Sequence, residues 1–385
     1  MMACVSSCEL SDTAHYRGGC RLILVCRPTG QGCPQGRRYN PPVMNSQLDI
    51  HYDQSLRALN TFGIDAKAYA YVQVCGVEHL RVVRDDPALS ALRRLVLGGG
   101  SNLLLTRDFD GLVLHMSNKG IVVSGDDESS VYVTAQAGEN WHGFVQWTLA
   151  QGYPGLENLS LIPGSVGASP IQNIGAYGAE LAEYFHSLKA FDFQKGDVIE
   201  LSRADCCFAY RDSIFKHELS ERAVILDVTF ALPKRWQPNL RYAELTTELE
   251  VRAISQPTAK DISEAVIAIR SRKLPDPTKI GNAGSFFKNP AVSRERYEQL
   301  LIEHPQLVSY PQTDGSVKLA AGWLIDQCGW KGKSLGPAGV HDKQALVLVN
   351  LGDATGSQLM NLASRIQEDV KERFDVVLEP EPIVI

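Results

Sequence analysis

From Pro163 to Gly178 the chain runs sixteen residues, PGSVGASPIQNIGAYG, with four glycines, two prolines and no charged side chain. A stretch this small and neutral cannot build a hydrophobic core, and its side chains cannot draw a charged partner. It can offer backbone N–H groups at close range, because glycine has no Cβ and tolerates φ > 0. A dinucleotide pyrophosphate needs such donors. Taken alone, the run could equally be a long glycine-rich surface loop, so the rest of the chain has to decide.

A length of 385 residues allows two or three domains. Hydrophobic residues at 44% and charged residues at 21% are ordinary for a globular chain. The formal net charge of −6 lacks the basic footprint of a nucleic-acid binder. No apolar run approaches the ~18 residues of a membrane span, so no membrane partner is expected. Cys4, Cys8, Cys20, Cys26 and Cys33 crowd the start, with Cys75, Cys206, Cys207 and Cys328 elsewhere, and none has the spacing of metal ligands. No metal is expected. Leu22–Val25 is too short for a secretory h-region, and reduced thiols fit a cytoplasmic protein. Residues 1–47, biased to Gly, Pro and Arg, read as a disordered extension, with Met44 a candidate start.

From about Leu48 strand and helix patterns alternate, which predicts an α+β protein. Strands are expected at Tyr71–Cys75, Leu95–Leu97, Gly111–His115 and Val131–Ala135, with a helix over Pro87–Arg93. The spacing of Trp141, Phe144, Val145, Thr148 and Leu149 predicts a helix over Glu139–Gln151, stopped by Gly152. Further strands are expected at Ser187–Phe193, Val198–Leu201 and Val224–Leu232, around a polar insertion Cys206–Lys216. A helix over Asp261–Lys273 should end at Leu274–Pro275–Asp276–Pro277, the best domain boundary. Helices at Ser293–Ile302, Ala320–Gln327 and Ser357–Phe374 follow, the last capped by Asp353 or Thr355. Strands are expected at Ala345–Asn350 and Val376–Leu378.

A second glycine-rich segment, Gly98, Gly99, Gly100, Ser101 and Asn102, follows an apolar strand. It is no Rossmann fingerprint, since Asn102 replaces the third glycine and no crossover helix opens there. Two neutral glycine segments in one chain suit a dinucleotide clamped between loops.

Six motifs stand in order: Asn60–Thr61–Phe62–Gly63, Gly98–Asn102, Pro163–Gly178, Tyr210–Arg211–Asp212–Ser213, Gly284–Ser285–Phe286–Phe287–Lys288–Asn289–Pro290 and Glu379–Pro380–Glu381. In this the chain resembles the UDP-N-acetylenolpyruvoylglucosamine reductases over about residues 48–385. The resemblance implies a vanillyl-alcohol-oxidase-like FAD-binding domain of two subdomains, 48–118 and 119–274. A C-terminal α+β substrate domain, 275–378, and a segment returning to the active site, 379–385, complete it. It implies a cytoplasmic monomer with tightly bound FAD. NADPH would reduce UDP-N-acetylglucosamine enolpyruvate to UDP-N-acetylmuramate for peptidoglycan.

The same resemblance implies residue roles. Arg211 would hold the substrate carboxylate, Glu381 would stand at that carboxylate and hold or share a proton, and Ser285 would protonate the carbanion. FAD would meet Gly98–Asn102 together with Pro163, Gly164, Ser165, Gly167, Ala168, Ser169, Gln172, Asn173, Gly175, Ala176, Tyr177 and Gly178. Tyr210, Tyr242, Lys273, Asn289 and Gln344 would surround the nucleotide-sugar, Tyr242 on a loop that closes over it. The chain stops four residues past Glu381, so the anchoring of that carboxylate is the weak point. Two readings stay open beside this one. One is a flavin oxidase or dehydrogenase acting on an alcohol or hydroxy acid; the other is a nucleotide-sugar-binding module without turnover.

Overall fold

Small residues at every second position of Lys67–Val74, namely Ala68, Ala70, Val72 and Val74, are fully buried and define a strand with one covered face. The computed structural model describes residues 48–312 and 314–385; the extension expected over 1–47 lies outside them. This first part comprises β1 (Ile50–Ser55), β2 (Lys67–Val74), α1 (Val77–Asp85), α2 (Pro87–Ser90), β3 (Arg94–Leu97), β4 (Leu103–Leu104) and β5 (Phe109–Met116). Its sheet has the order β1–β2–β5–β3, antiparallel at β1 and parallel elsewhere. α1 and α2 carry the chain from β2 to β3, and the stretch 98–108 carries it on to β5, which pairs between them.

Two corrections fall here. The helix expected over Pro87–Arg93 stops at Ser90, because Asp86 caps only a short turn before Arg94 enters β3. Sequence periodicity overlooked α1, where Leu80 and Val83 alone are buried among five charged or polar side chains.

The middle part contains β6 (Ile121–Asp126), β7 (Ser130–Gln136), α3 (Trp141–Ala150), β8 (Gly175–Ala176), β9 (Ala179–Glu180), β10 (Phe185–Asp192), β11 (Asp197–Ser202) and β12 (Ala223–Pro233), then α4 (Ala243–Val251) and α5 (Ala259–Lys273). Five strands form an antiparallel sheet, β11–β10–β12–β7–β6. The side chain of Asn140 caps α3 through the Gly143 N–H, and Trp141, Phe144, Val145 and Thr148 are buried as their spacing predicts. α4 occupies a stretch that reads as loop; only Leu245 and Leu249 betray it, by packing on Ile262, Ala265, Val266 and Ile269 of α5. Tyr242 therefore stands at the N-cap of a helix. A capping box of Thr258 and Asp261 starts α5, and Leu274 leaves it in extended conformation ahead of Pro275.

The last part holds β13 (Gly281–Ser285), β14 (Ala291–Val292), α6 (Arg294–Glu303), β15 (Ser309–Pro311), β16 (Val317–Leu319), α7 (Ala321–Gln327), β17 (Ser334–Leu335), β18 (Ala338–Val340), β19 (Val347–Asn350), α8 (Gly356–Phe374) and β20 (Ile383–Val384). Sheets β13–β19–β18–β17 and β14–β16–β15 carry it. Thr355, with Gln358, caps α8; Asp353 instead takes φ +53° and pairs with Arg57 at 2.9 Å. Val376–Leu378 is not a strand. Val376 and Leu378 are buried, but the Leu378 carbonyl accepts from the Gln367 side chain at 2.7 Å rather than from a ladder. The pairing comes later: β20 lies parallel to β4 in the first part, and Ile385 exchanges backbone bonds with Leu104 and Thr106 at 3.0 and 2.7 Å. The segment after Glu381 is thus anchored.

Two large cores result. One joins β4 and Phe109 with Phe286, Phe287, Leu324 and the buried face of α8; the other joins Val72, Leu112 and Leu114 with Trp141, Phe144 and Phe230. The first sheet contributes to both. Among the described residues no helix is long and apolar enough to cross a membrane.

The first residue of α8 tests how closely the C-terminal part docks. A Cβ on Gly356 would lie 1.9 Å from the Leu105 carbonyl oxygen, so Gly356→Ala should destabilise by about 1–3 kcal/mol despite alanine's helix propensity. Chemical denaturation would report it as a lower midpoint at unchanged slope.

Candidate active site

The two glycine segments meet backbone to backbone. A Cβ on Gly98 would come within 2.3 Å of Ser165 Oγ, and one on Gly99 within 2.9 Å of Gly164 Cα. Gly100, at φ +59°, passes so near Leu59 O that a Cβ would stand 1.9 Å from it. Their glycines therefore permit the loops to touch, and the touching surfaces frame a cavity of about 240 Å³. It opens at the seam between the two cores, with Leu97, Leu103 and Ala283 on one side and Trp141, Ile162 and Ile174 on the other.

Asn102 ties the frame together. Its side-chain amide donates to Gln172 Oε1 at 2.9 Å and to the Glu381 carbonyl at 3.3 Å, while its own carbonyl accepts from Ile383 N–H at 3.0 Å. One residue thus joins the first loop, the second loop and the chain's end.

Gly98, Gly99, Gly100, Ser101, Asn102, Pro163, Gly164, Ser165, Ala168, Ser169, Gln172 and Gly175 line the cavity; Gly167, Asn173, Ala176, Tyr177 and Gly178 do not. Gly167 instead allows close contact with Ala137. Asn173 is occupied by Glu180, the Ala209 carbonyl and the Ala182 N–H. Ala176, Tyr177 and Gly178 form the β8–β9 turn, where Tyr177 meets the edge of Tyr242 at 5.0 Å between ring centres.

Ser285, Arg211 and Glu381 all reach this cavity. Ser285 ends β13 just after Gly284, which turns the strand at φ +71°. The Arg211 Nε lies 2.9 Å from Glu381 Oε1, an ion pair whose N–H is not aligned on the oxygen, and Nη2 donates to the Gly175 carbonyl at 2.9 Å. Arg211 itself takes φ +56°, an unfavourable backbone state for a non-glycine residue. Lys216 supports it by donating to the Arg211 carbonyl at 2.7 Å. Burial, then the nearby Lys288 charge, lowers the Lys216 pKa from the usual lysine value.

The expected nucleotide-sugar residues lie outside that lining. Lys273 pairs with Glu244. Asn289 Oδ1 accepts from the Ala321 N–H at 3.0 Å, serving the uncapped start of α7. Gln344 Oε1 accepts from Leu346 N–H at 3.4 Å. Tyr210 carries Lys318 Nζ 3.3 Å from its ring centre, and burial raises its pKa. Burial likewise raises Tyr242, which is 38% exposed and so still open to a ligand.

Sequence reasoning overlooked two cations on the cavity wall, Lys216 and Arg270. Arg270 donates from Nε to the Leu161 carbonyl at 3.2 Å, and burial lowers its pKa. The signal for it was available: Arg270 follows Val266 by one helical turn on the buried side of α5. A neutral glycine cradle with one buried guanidinium fits a dinucleotide diphosphate, whose charge the cradle's N–H groups and Arg270 would answer.

Comparison with known proteins accords with this geometry. Residues 276–385 match the sequence model of the UDP-N-acetylenolpyruvoylglucosamine reductase C-terminal domain, and residues 70–202 match an FAD binding domain. The chain is 53% identical over 343 residues to a UDP-N-acetylenolpyruvoylglucosamine reductase of Burkholderia mallei, covering 89% of this chain and 99% of the relative. It belongs to that reductase family. A family member from Burkholderia multivorans is 54% identical over 346 residues, with 89% and 99% of the two chains covered. The crystal structure of the reductase from Thermus caldophilus superposes with a TM-score of 0.60 at 23% identity, covering 88% of this chain and 98% of that one. That likeness is one of fold. The chain is accordingly an FAD-containing oxidoreductase, α+β, with the FAD-binding architecture of its family.

Loop contact gives the first test of the site. Gly99→Ala should push the two segments apart and weaken flavin retention by about tenfold or more, since overpacking costs about 1–3 kcal/mol. The ratio of flavin to protein absorbance after gel filtration checks it.

Proposed function

We propose that this protein reduces UDP-N-acetylglucosamine enolpyruvate to UDP-N-acetylmuramate, a peptidoglycan precursor, with NADPH as reductant, as a cytoplasmic monomer. The observation that carries the reading is the convergence of Ser285, Arg211 and Glu381 on one cavity beside the glycine cradle. We read 48–118 and 119–274 as the FAD-binding subdomains, 275–378 as the substrate domain and 379–385 as the segment that delivers Glu381.

FAD, when bound, supplies the two-electron relay that carries hydride from NADPH to the enol ether. The protein's work is the rest. Hydride addition to the substrate leaves carbanion character beside its carboxylate, so negative charge grows on that carboxylate. Arg211 answers it: a guanidinium stays charged throughout and can hold two oxygens. Its pairing with Glu381 pre-orients it, and the arriving carboxylate would compete with Glu381 for the same fork. Glu381 and the incoming carboxylate would then face one cation, and the repulsion between them is a cost that the site has to offset. Ser285 Oγ–H protonates the substrate carbon, a weak acid sufficing against a strongly basic target. On the outer side, Tyr242, Lys273 and Tyr210 with Lys318 offer an aromatic and cationic surface to the nucleotide-sugar.

Two half-reactions separate the roles. Anaerobic NADPH should bleach the flavin absorption, and the enolpyruvyl UDP-sugar should restore it. In Ser285→Ala the bleaching should persist while restoration slows by about 10²–10⁴-fold. Colour that persists with NADPH removes the redox assignment, and unchanged restoration in the variant removes Ser285 from its role. An alcohol or hydroxy acid that bleaches the wild-type flavin would favour an oxidase instead.

A further inference from the structure

Both peptide groups of Leu161 are held by side chains rather than by a ladder. Leu161 stands two residues before Pro163 at φ +59°, a backbone state that disfavours a leucine. Its N–H donates to His142 Nδ1 at 2.9 Å, and its carbonyl accepts from Arg270 Nε at 3.2 Å. His142 lies in the first turn of α3 and Arg270 in the last turn of α5. The N–H of Trp141, beside His142, donates to the Gly164 carbonyl at 3.1 Å. The start of α3 therefore grips the loop on both sides of Pro163.

We propose that His142 is a positioning residue for the cofactor: as a neutral imidazole protonated on Nε2, it holds Leu161 left-handed and so aims the Pro163–Ser169 backbone into the cavity. The inference rests on the reading of that loop as the flavin's. Only neutral imidazole can accept at Nδ1; in the imidazolium both nitrogens donate, and Nδ1–H would confront the Leu161 N–H. Burial, and after it the charge of Arg270, lowers the His142 pKa from the usual histidine value. The accepting form therefore dominates at neutral pH and is lost as pH falls below the ordinary histidine range. Arg270 is the charge facing His142 from α5, with Tyr177 behind it. The neighbouring acids are turned elsewhere: Glu139 accepts from Gly120 N–H at 2.7 Å, and Glu157 from Gly155 N–H and Trp236 Nε1, each at 2.6 Å.

The test titrates apoprotein with FAD, followed by flavin fluorescence, from about pH 8 to about pH 5, alongside thermal melting. Four proteins are compared: wild type, His142→Ala, His142→Asn, and His142→Ala combined with Leu161→Gly. Asparagine places a non-titrating amide oxygen near the Nδ1 position, and glycine adopts φ > 0 without a latch. At about pH 8, His142→Ala should bind FAD about tenfold more weakly, the scale of one lost hydrogen bond. His142→Asn should stay within about threefold of wild type, and Leu161→Gly should recover most of the alanine loss. Wild type should weaken about tenfold towards pH 5, whereas the asparagine variant stays flat. Wild-type affinity in His142→Ala, or an acid loss in His142→Asn equal to wild type, overturns the latch alone. A wild-type protein that takes up no FAD at about pH 8 overturns the cofactor reading and the latch with it. Should His142→Ala fail to fold, the asparagine pH profile still decides.

Discussion

The molecule depends on two stretches of backbone passing within contact of each other. Gly98 and Gly99 lie against Ser165 and Gly164 at distances no side chain could share. Everything functional is arranged around that approach. The first stretch is fixed by the parallel sheet that precedes it, the second by the turn between β7 and α3, to which Val166 and Gly167 are hydrogen-bonded through the Glu139 and Ala137 carbonyls at 2.8 and 2.9 Å. The cavity exists because two cores built on different faces of the chain stop short of merging there. Buried apolar area, on the order of 25 cal/mol for each Å², holds the walls; the neutral loops then supply donors without a charge to desolvate.

Around this frame, left-handed backbone recurs at residues that are not glycine: Leu161, Asn173, Tyr177 and Arg211. Each is compensated by contacts at its own peptide or side chain. Lys216 holds the Arg211 carbonyl, Asn158 holds the Tyr177 carbonyl at 2.8 Å, and Asn173 makes three hydrogen bonds of its own. Local conformational cost of about 1–3 kcal/mol per residue is thus balanced by tertiary bonds, and the side chains point where the fold rather than local preference directs them. The Arg211–Glu381 pair is the clearest product. It joins the insertion after β11 to the last residues of the chain, two segments with no sequence relation.

Much of the fold was legible in residue patterns. The apolar stripe of α3, the Thr355 cap of α8 and the proline break after Leu274 all appear where their local chemistry demands, whereas the Thr258 cap of α5 was not read and that helix begins two residues before Asp261. What escaped has a common cause. α1 and α4 bury only two apolar side chains each, so their period is drowned by the polar residues between. Val376–Leu378 has the alternation of a strand, yet pairing requires a free edge, and the free edge belongs to β4 and is met by Ile383–Val384. At the site, the motifs identified Ser285, Arg211 and Glu381 as a set, but Arg270 and Lys216 passed as an ordinary helical and an ordinary loop cation.

By itself the sequence determined the chemistry available: two uncharged glycine segments able to approach a diphosphate, and a serine, an arginine and a glutamate in motifs that bring a family with them. These are properties of composition and order, and they survive without coordinates. Only the tertiary structure decided which of those residues face a common cavity, that Asn102 joins both loops to the chain's end, and that His142 and Arg270 share one leucine. Such pairings span from 19 to 279 residues of chain. Nothing in the local preferences of a segment encodes its partner at that separation; the shared burial of the two cores selects it.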